Sequence, residues 1–253
     1  MRSFVSHIIR RVRVTRSKIR WVVEGLVQSL ASPRRRLAPH LAQIYGEGAL
    51  ARSRIPTIGM LDFIGKDHSA PIQLEDFIPG NMNVTVAEVA FLSLLVRAAA
   101  PRVILELGTY DGKTTFQLAA NSPPGALVYT VDLPDSSATR MHESGERPRR
   151  YAASPHGAKV RQKLADTMSA DFAALCDGHR PGLVFVDAGH RYANVKNDTE
   201  KSLAILEQDG LLVWHDYAYD CAGVFNYLNE LSERLPLVHL QGTALVACRV
   251  PRG

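Results

Sequence analysis

With 253 residues, 46% of them apolar and 22% charged, the chain can bury one sizeable core and falls in the globular range. Its formal net charge of +5 belongs to one end: residues 1 to 40 hold ten Lys/Arg against the single Glu24, which leaves residues 41 to 253 at a net −4. That split argues against a polyanion-binding site, so nucleic acid is not an expected partner. Cys176, Cys221 and Cys248 are odd in number and widely spaced, which argues against a disulfide framework or a zinc cluster and points to a reducing, cytoplasmic setting. No apolar run reaches the ~18 residues of a membrane span, and arginines interrupt the stretch where a signal-peptide core would lie.

In chain order, Val5, Ile8, Ile9, Val12, Ile19, Val22, Val23, Leu26, Val27 and Leu30 recur at helical spacing, with Arg10, Arg11, Arg13, Arg16, Lys18 and Arg20 between them. Residues 1 to 40 therefore read as a basic amphipathic helical extension, broken by Pro33 and Pro39. Such a helix suits packing on the domain or on a second subunit in a homo-oligomer, or a peripheral membrane contact through residues 1 to 30. The third alternative is disorder. Residues 41 to 80, punctuated by Gly46, Gly48, Pro56, Gly59, Gly65, Pro71, Pro79 and Gly80, form a linker or cover segment with short pieces of structure.

The main domain is expected over residues 81 to 253. A helix runs from Val84 to Ala99 and stops at Pro101, followed by a strand at 103 to 107, a helix at about 112 to 121, the turn Pro123-Pro-Gly125 and a strand at 127 to 132. Leu133 to Lys163 is polar and lacks an apolar period, and its length suggests a substrate lid. A possible short third strand precedes Asp166. The alternation resumes with a strand at 183 to 187, a helix at about 192 to 207, a strand at 211 to 215 and a helix at about 221 to 233. Strands near 236 to 240 and 244 to 249 close an antiparallel hairpin around Gln241-Gly242. This order predicts an α/β fold: a doubly wound, Rossmann-like, mostly parallel seven-stranded sheet with an antiparallel C-terminal hairpin and an N-terminal helical extension.

In such a sheet, ligands bind beyond the carboxyl ends of the strands, where the connection order reverses, and Gly108 and Gly112 fall at that point. Their spacing is G-x-x-x-G rather than the G-x-G-x-x-G of a pyrophosphate cradle. A cofactor with an adenosine but no phosphates fits better, and S-adenosylmethionine is the leading candidate. Asp132 ends the second strand, where its two oxygens can accept both ribose hydroxyls. Asp187 ends one later strand and His215-Asp216 the next, so all three project toward the same crevice. His190, three residues past Asp187, has the near-neutral acidity of a general base for a hydroxyl proton.

Glu106-Leu-Gly-Thr-Tyr-Asp-Gly112 with Asp132 resembles motif I and its acidic successor in class I S-adenosylmethionine-dependent methyltransferases. Met82-Asn-Val-Thr-Val-Ala-Glu-Val-Ala-Phe-Leu92 resembles the lead-in helix of catechol-type O-methyltransferases. Val184-Phe-Val-Asp-Ala-Gly-His-Arg-Tyr192 and Val213-Trp-His-Asp-Tyr217 are similar to the methyltransferase domain 24 family, which includes macrocin-type sugar O-methyltransferases. The resemblance covers roughly residues 80 to 250. It implies that Met82 and Val84 line the cofactor, that Glu106 and Thr109 meet its methionine amino and carboxylate groups, and that Asp166 and Thr167 meet its adenine. It also implies a divalent cation, Mg2+ or another, on Asp187, His215 and Asp216, with His215 where relatives commonly carry a second carboxylate. A small-molecule hydroxyl, on a sugar or other natural product, is the implied acceptor. Two other readings stand beside it: an NAD(P)-dependent reductase on a similar sheet, and a non-catalytic adaptor that keeps the fold. Tyr192 and Lys196 match the catalytic spacing of short-chain dehydrogenases, but without the dinucleotide glycines they read as chance.

Overall fold

The apolar run at 103 to 107 becomes the hub of a mixed sheet. The computed structural model describes residues 53–65, 71–75, 84–134, 150–218 and 221–251. The expected N-terminal helix, Met82 and residues 135 to 149 of the expected lid lie outside the described residues.

The strands are β1 (Thr57–Ile58), β2 (Val103–Leu107), β3 (Leu127–Asp132), β4 (Val160–Leu164), β5 (Leu183–Val186), β6 (Leu211–Trp214), β7 (Val238–Leu240) and β8 (Val246–Arg249). Among them run α1 (Met60–Ile64), α2 (Val86–Ala99), α3 (Lys113–Asn121), α4 (Phe172–Leu175), α5 (Tyr192–Ile205) and α6 (Ala222–Leu231), with a 3-10 turn at Pro155–Lys159. The sheet order is β1-β7-β8-β6-β5-β2-β3-β4. Only β8 runs antiparallel to its neighbours, through its pairings with β6 and β7. From β2 the chain winds first toward β3 and β4, then returns to lay down β5 and β6 on the other side, so the order reverses beside β2.

The expected architecture holds with one correction: the sheet has eight strands, not seven. The extra strand comes from the segment read as linker, where Thr57 and Ile58 pair in parallel with His239 and Leu240. Two residues between Pro56 and Gly59 carry no readable alternation, and only the exposed edge of β7 gives them a partner. Likewise, the end of the expected lid supplies β4, paired along β3 from Val160 to Leu164. Its sequence Val-Arg-Gln-Lys-Leu is that of an edge strand, polar because one side of the ladder faces water.

Side chains of β2 alternate between two apolar clusters. Val103, Leu105 and Leu107 join the cluster that includes Trp214, Tyr227 and Leu228, whereas Ile104 joins Leu92, Leu95, Val96 and Phe116. A parallel strand buried on both faces must read as a continuous apolar run, as this one does. Each face is covered because its helices are amphipathic, and α2 is set in place by a capping box. Glu88 N–H donates to Thr85 Oγ1 at 3.3 Å, and Thr85 N–H donates back to Glu88 Oε2 at 2.8 Å. The helix ends at Ala100 in left-handed geometry (φ 45), just before Pro101.

Candidate active site

The turn after β2 is built by close backbone packing. Gly108 has φ 101, and a Cβ there would lie 2.1 Å from the Asp187 carbonyl oxygen. Its near neighbour is the chain leaving β5. Gly112 (φ 78) caps α3, and a Cβ on it would meet the Tyr151 ring at 2.8 Å. Both positions require glycine: Gly108 lets the tips of β2 and β5 meet, and Gly112 lets the start of α3 meet Tyr151.

Beneath the turn lies a polar knot. Glu106 is fully buried, and its Oε2 accepts from Thr115 Oγ1 and, at 2.5 Å, from Thr130 Oγ1. Thr109 Oγ1 lies 2.6 Å from Thr130 Oγ1. Burial pushes the Glu106 carboxyl up to about 8, against the pull of the two threonines. Its Oε1 has no hydrogen-bond partner among the described residues. Glu106 and Thr109, expected to meet a methionine moiety, are both buried beside Thr130.

Asp132, at the tip of β3, accepts Tyr110 N–H at 3.2 Å and Leu133 N–H at 2.8 Å, one on each oxygen, and stays partly exposed. The Ala165 N–H donates to the Asp132 carbonyl at 2.9 Å, which brings Asp166 and Thr167 alongside. Asp166 is exposed and its Oδ1 accepts Met168 N–H, while the Thr167 carbonyl accepts Asn197 Nδ2 and Lys201 Nζ. Val84 is buried in the α2–α3 cluster, with its carbonyl accepting Lys113 Nζ at 3.3 Å.

Beyond the tips of β5 and β6, Asp187, His190, His215 and Asp216 converge. His215 Nδ1 lies 3.2 Å from Asp187 Oδ1 and 3.2 Å from Asp216 Oδ1. His190 Nε2 lies 3.1 Å from Asp216 Oδ2 and 3.9 Å from Asp187 Oδ1, so Asp216 is its nearer partner. Asp216 holds this bridging place in the left-handed region, φ 59, which aspartate enters more readily than most residues with a Cβ. Burial lowers the His215 pKa, but the carboxylates of Asp187, Asp216 and Glu88 overcome it and raise it to about 12. The His190 pKa is raised by Asp187 and Asp216.

Glu88 is the site residue that the sequence reading missed. It sits on α2, almost fully buried, with Oε2 3.3 Å from His215 Nε2 and Oε1 accepting Ala244 N–H at 2.8 Å. Burial pushes its carboxyl up, but His215 and the N–H groups of Ala244 and Thr85 bring it down to about 2. The Thr85-x-x-Glu88 capping signature was present in the sequence; that the same carboxylate also reaches β6 was not. Tyr192 and Lys196 point elsewhere: the Tyr192 hydroxyl donates to Glu230 and Lys196 pairs with Glu200, so no dehydrogenase pair is assembled.

Asp187, His215 and Asp216 each offer one ligand atom, all within 4.8 Å of one another. The donor set fits a divalent cation. A metal-bound histidine characteristically turns its other ring nitrogen to a carboxylate, and Glu88 holds Nε2 in that way while Nδ1 faces the two aspartates. Two carboxylates and an imidazole suit a cation of intermediate hardness.

A sheet of this order, with a glycine turn and carboxylates at its central strand tips, has counterparts among known methyltransferases. Residues 105–217 match the family described as Methyltransferase domain. Among solved structures, the chain is similar to the O-methyltransferase TomG from Streptomyces achromogenes, in complex with SAM, at 16% identity over 83% of this chain and 96% of that one, TM-score 0.51. It is similar to cofactor-bound Rv0187 from MTB at 18% identity over 91% and 97%, TM-score 0.53. The SAH-bound methyltransferase PaMTH1 from Podospora anserina gives 13% identity over 86% and 98%, TM-score 0.54. At these identities the likeness establishes the fold. A comparison with curated proteins finds no match.

Proposed function

We propose that this chain moves a methyl group from S-adenosylmethionine to a hydroxyl oxygen of a small acceptor, a sugar or other natural product. The observation that carries this reading is the meeting of His190, Asp187, His215 and Asp216 at the carboxyl ends of β5 and β6, beside the Gly108 turn. When bound, S-adenosylmethionine supplies an electrophilic methyl on a sulfonium; the chain must hold the acceptor in line and remove its proton. His190 is the more exposed imidazole of the cluster, at 41% against 12% for His215, so it takes the proton, and Asp216 at 3.1 Å orients the ring and stabilises its charged form. Asp187, His215 and Asp216 would hold a divalent cation, and its chemistry there would be to lower the pKa of an acceptor hydroxyl. Asp132 grips the ribose, with Asp166 and Thr167 beside the adenine. The SAM bound to TomG and the SAH bound to PaMTH1 support the cofactor assignment.

Calorimetry with S-adenosylhomocysteine and with NAD tests the cofactor, and tight binding of NAD alone overturns the reading. A screen of hydroxylated acceptors tests the transfer. On the acceptor found, His190→Ala lowers kcat by about 10²- to 10⁴-fold with S-adenosylhomocysteine affinity retained. Chelation lowers turnover without releasing the cofactor; normal turnover of the metal-free protein removes the cation from the mechanism.

A further inference from the structure

The two oxygens of Asp216 face different partners: Oδ1 faces His215 Nδ1 and Oδ2 faces His190 Nε2. The first side is the seat already described. On the second, Cys221 joins His190 and Asp216, and these three offer one ligand atom each, again all within 4.8 Å of one another. We propose that His190, Asp216 and Cys221 form a second metal seat, selective for a thiophilic ion of the zinc type and joined to the first through the Asp216 carboxylate. An ion seated there separates the His190 ring from the Asp216 carboxylate that stabilises its charged form and draws electron density from the ring, so occupation inhibits methyl transfer. This inhibition rests on the base assignment made above; the seat itself does not.

Thiolate, imidazole and carboxylate are the donors zinc takes, and three protein ligands with one open position is a common zinc arrangement. Donors of a tetrahedral zinc stand about 3.5 Å apart, so closure from 4.8 Å needs a small movement. His190 can make it, since its side chain is 41% exposed. The backbone beneath is fixed independently: a Cβ on Gly223 would lie 2.3 Å from the His190 carbonyl oxygen and 2.4 Å from Tyr192 N. That contact presses the first turn of α6, which Cys221 caps, against the loop that carries His190. On binding, the Cys221 thiol releases its proton to solvent and the sulfur becomes a ligand. Cys176 and Cys248 cannot substitute for it, because both are fully buried and burial pushes their thiols up to about 12 and about 11.

The test uses the full chain with Co2+ as a coloured substitute for zinc, in excess Mg2+ to fill the harder seat. The expected result is a thiolate-to-cobalt charge-transfer band that saturates at one ion, is displaced by Zn2+, and disappears in Cys221→Ser but not in Cys176→Ser. His190→Gln should weaken cobalt binding at least about tenfold; its loss of affinity also serves if Cys221→Ser does not fold. No band in the parent chain, or a band that persists without Cys221, overturns the seat. In methyl transfer, zinc inhibits the parent chain and needs at least about tenfold more to inhibit Cys221→Ser; equal inhibition of both overturns the regulatory consequence. Failure of S-adenosylhomocysteine to bind while the band is present would instead sink the methyltransferase reading.

Discussion

Glu88 shows how a residue can serve two elements at once. It closes the capping box of α2 and fixes His215 Nε2, so that Nδ1 is left toward Asp187 and Asp216. Glu88→Gln keeps the cap partly intact but loses the charge that orients His215. The expected outcome is a 10- to 100-fold rise in the Mg2+ concentration needed for half-maximal activity, with S-adenosylhomocysteine affinity unchanged by calorimetry. Glu106 gives a different prediction. Its folded pKa of about 8 lies above the ordinary 4.5, so the unfolded chain loses this proton first. Stability therefore falls as pH rises from about 4.5 to about 8 and then levels. Glu106→Gln cannot ionise, so its melting temperature relative to the parent should climb across that window. A pH-independent difference would show that Glu106 titrates normally.

At the level of elements, the functional crevice depends on how tightly the β2 and β5 tips meet. Gly108→Ala combines φ 101 with a Cβ 2.1 Å from the Asp187 carbonyl, so β5 must move. The expected cost is on the order of 3 kcal/mol in urea unfolding, with loss of S-adenosylhomocysteine binding. Gly125 is the control: it has φ 76, but a Cβ there meets nothing within 4 Å. Gly125→Ala should cost only about 1 kcal/mol and leave binding intact. Equal costs at the two positions would mean that backbone conformation, not the β2–β5 contact, controls the turn. The elements that the sequence made legible are those buried on both faces or strongly amphipathic, such as β2 and α2. β1 and β4 were harder because an edge strand needs only one neighbour and can be short or polar.

At the level of the whole molecule, residues 53 to 251 supply all eight strands and both apolar clusters among the described residues. None of the helices described is long and apolar enough to cross a membrane. Removal of residues 1 to 40, which carry ten of the thirty basic residues, should leave S-adenosylhomocysteine affinity within about twofold of the full chain. A large loss by calorimetry would make the basic segment part of the binding domain. The net −4 of residues 41 to 253 fits a small uncharged acceptor better than a polyanion.

The sequence by itself determined the winding of the sheet, the glycine turn, and the carboxylates and imidazoles at the strand tips. These depend on local periodicity and on which residues follow a strand, and both are readable along a single segment. Only the tertiary structure decided that Glu88 braces His215 across 127 residues, that Glu106 lies buried under its turn, and that Cys221 joins His190 at Asp216. Those pairings arise from packing between segments far apart in the chain, where a change of helix rotation or strand register would bring different side chains together.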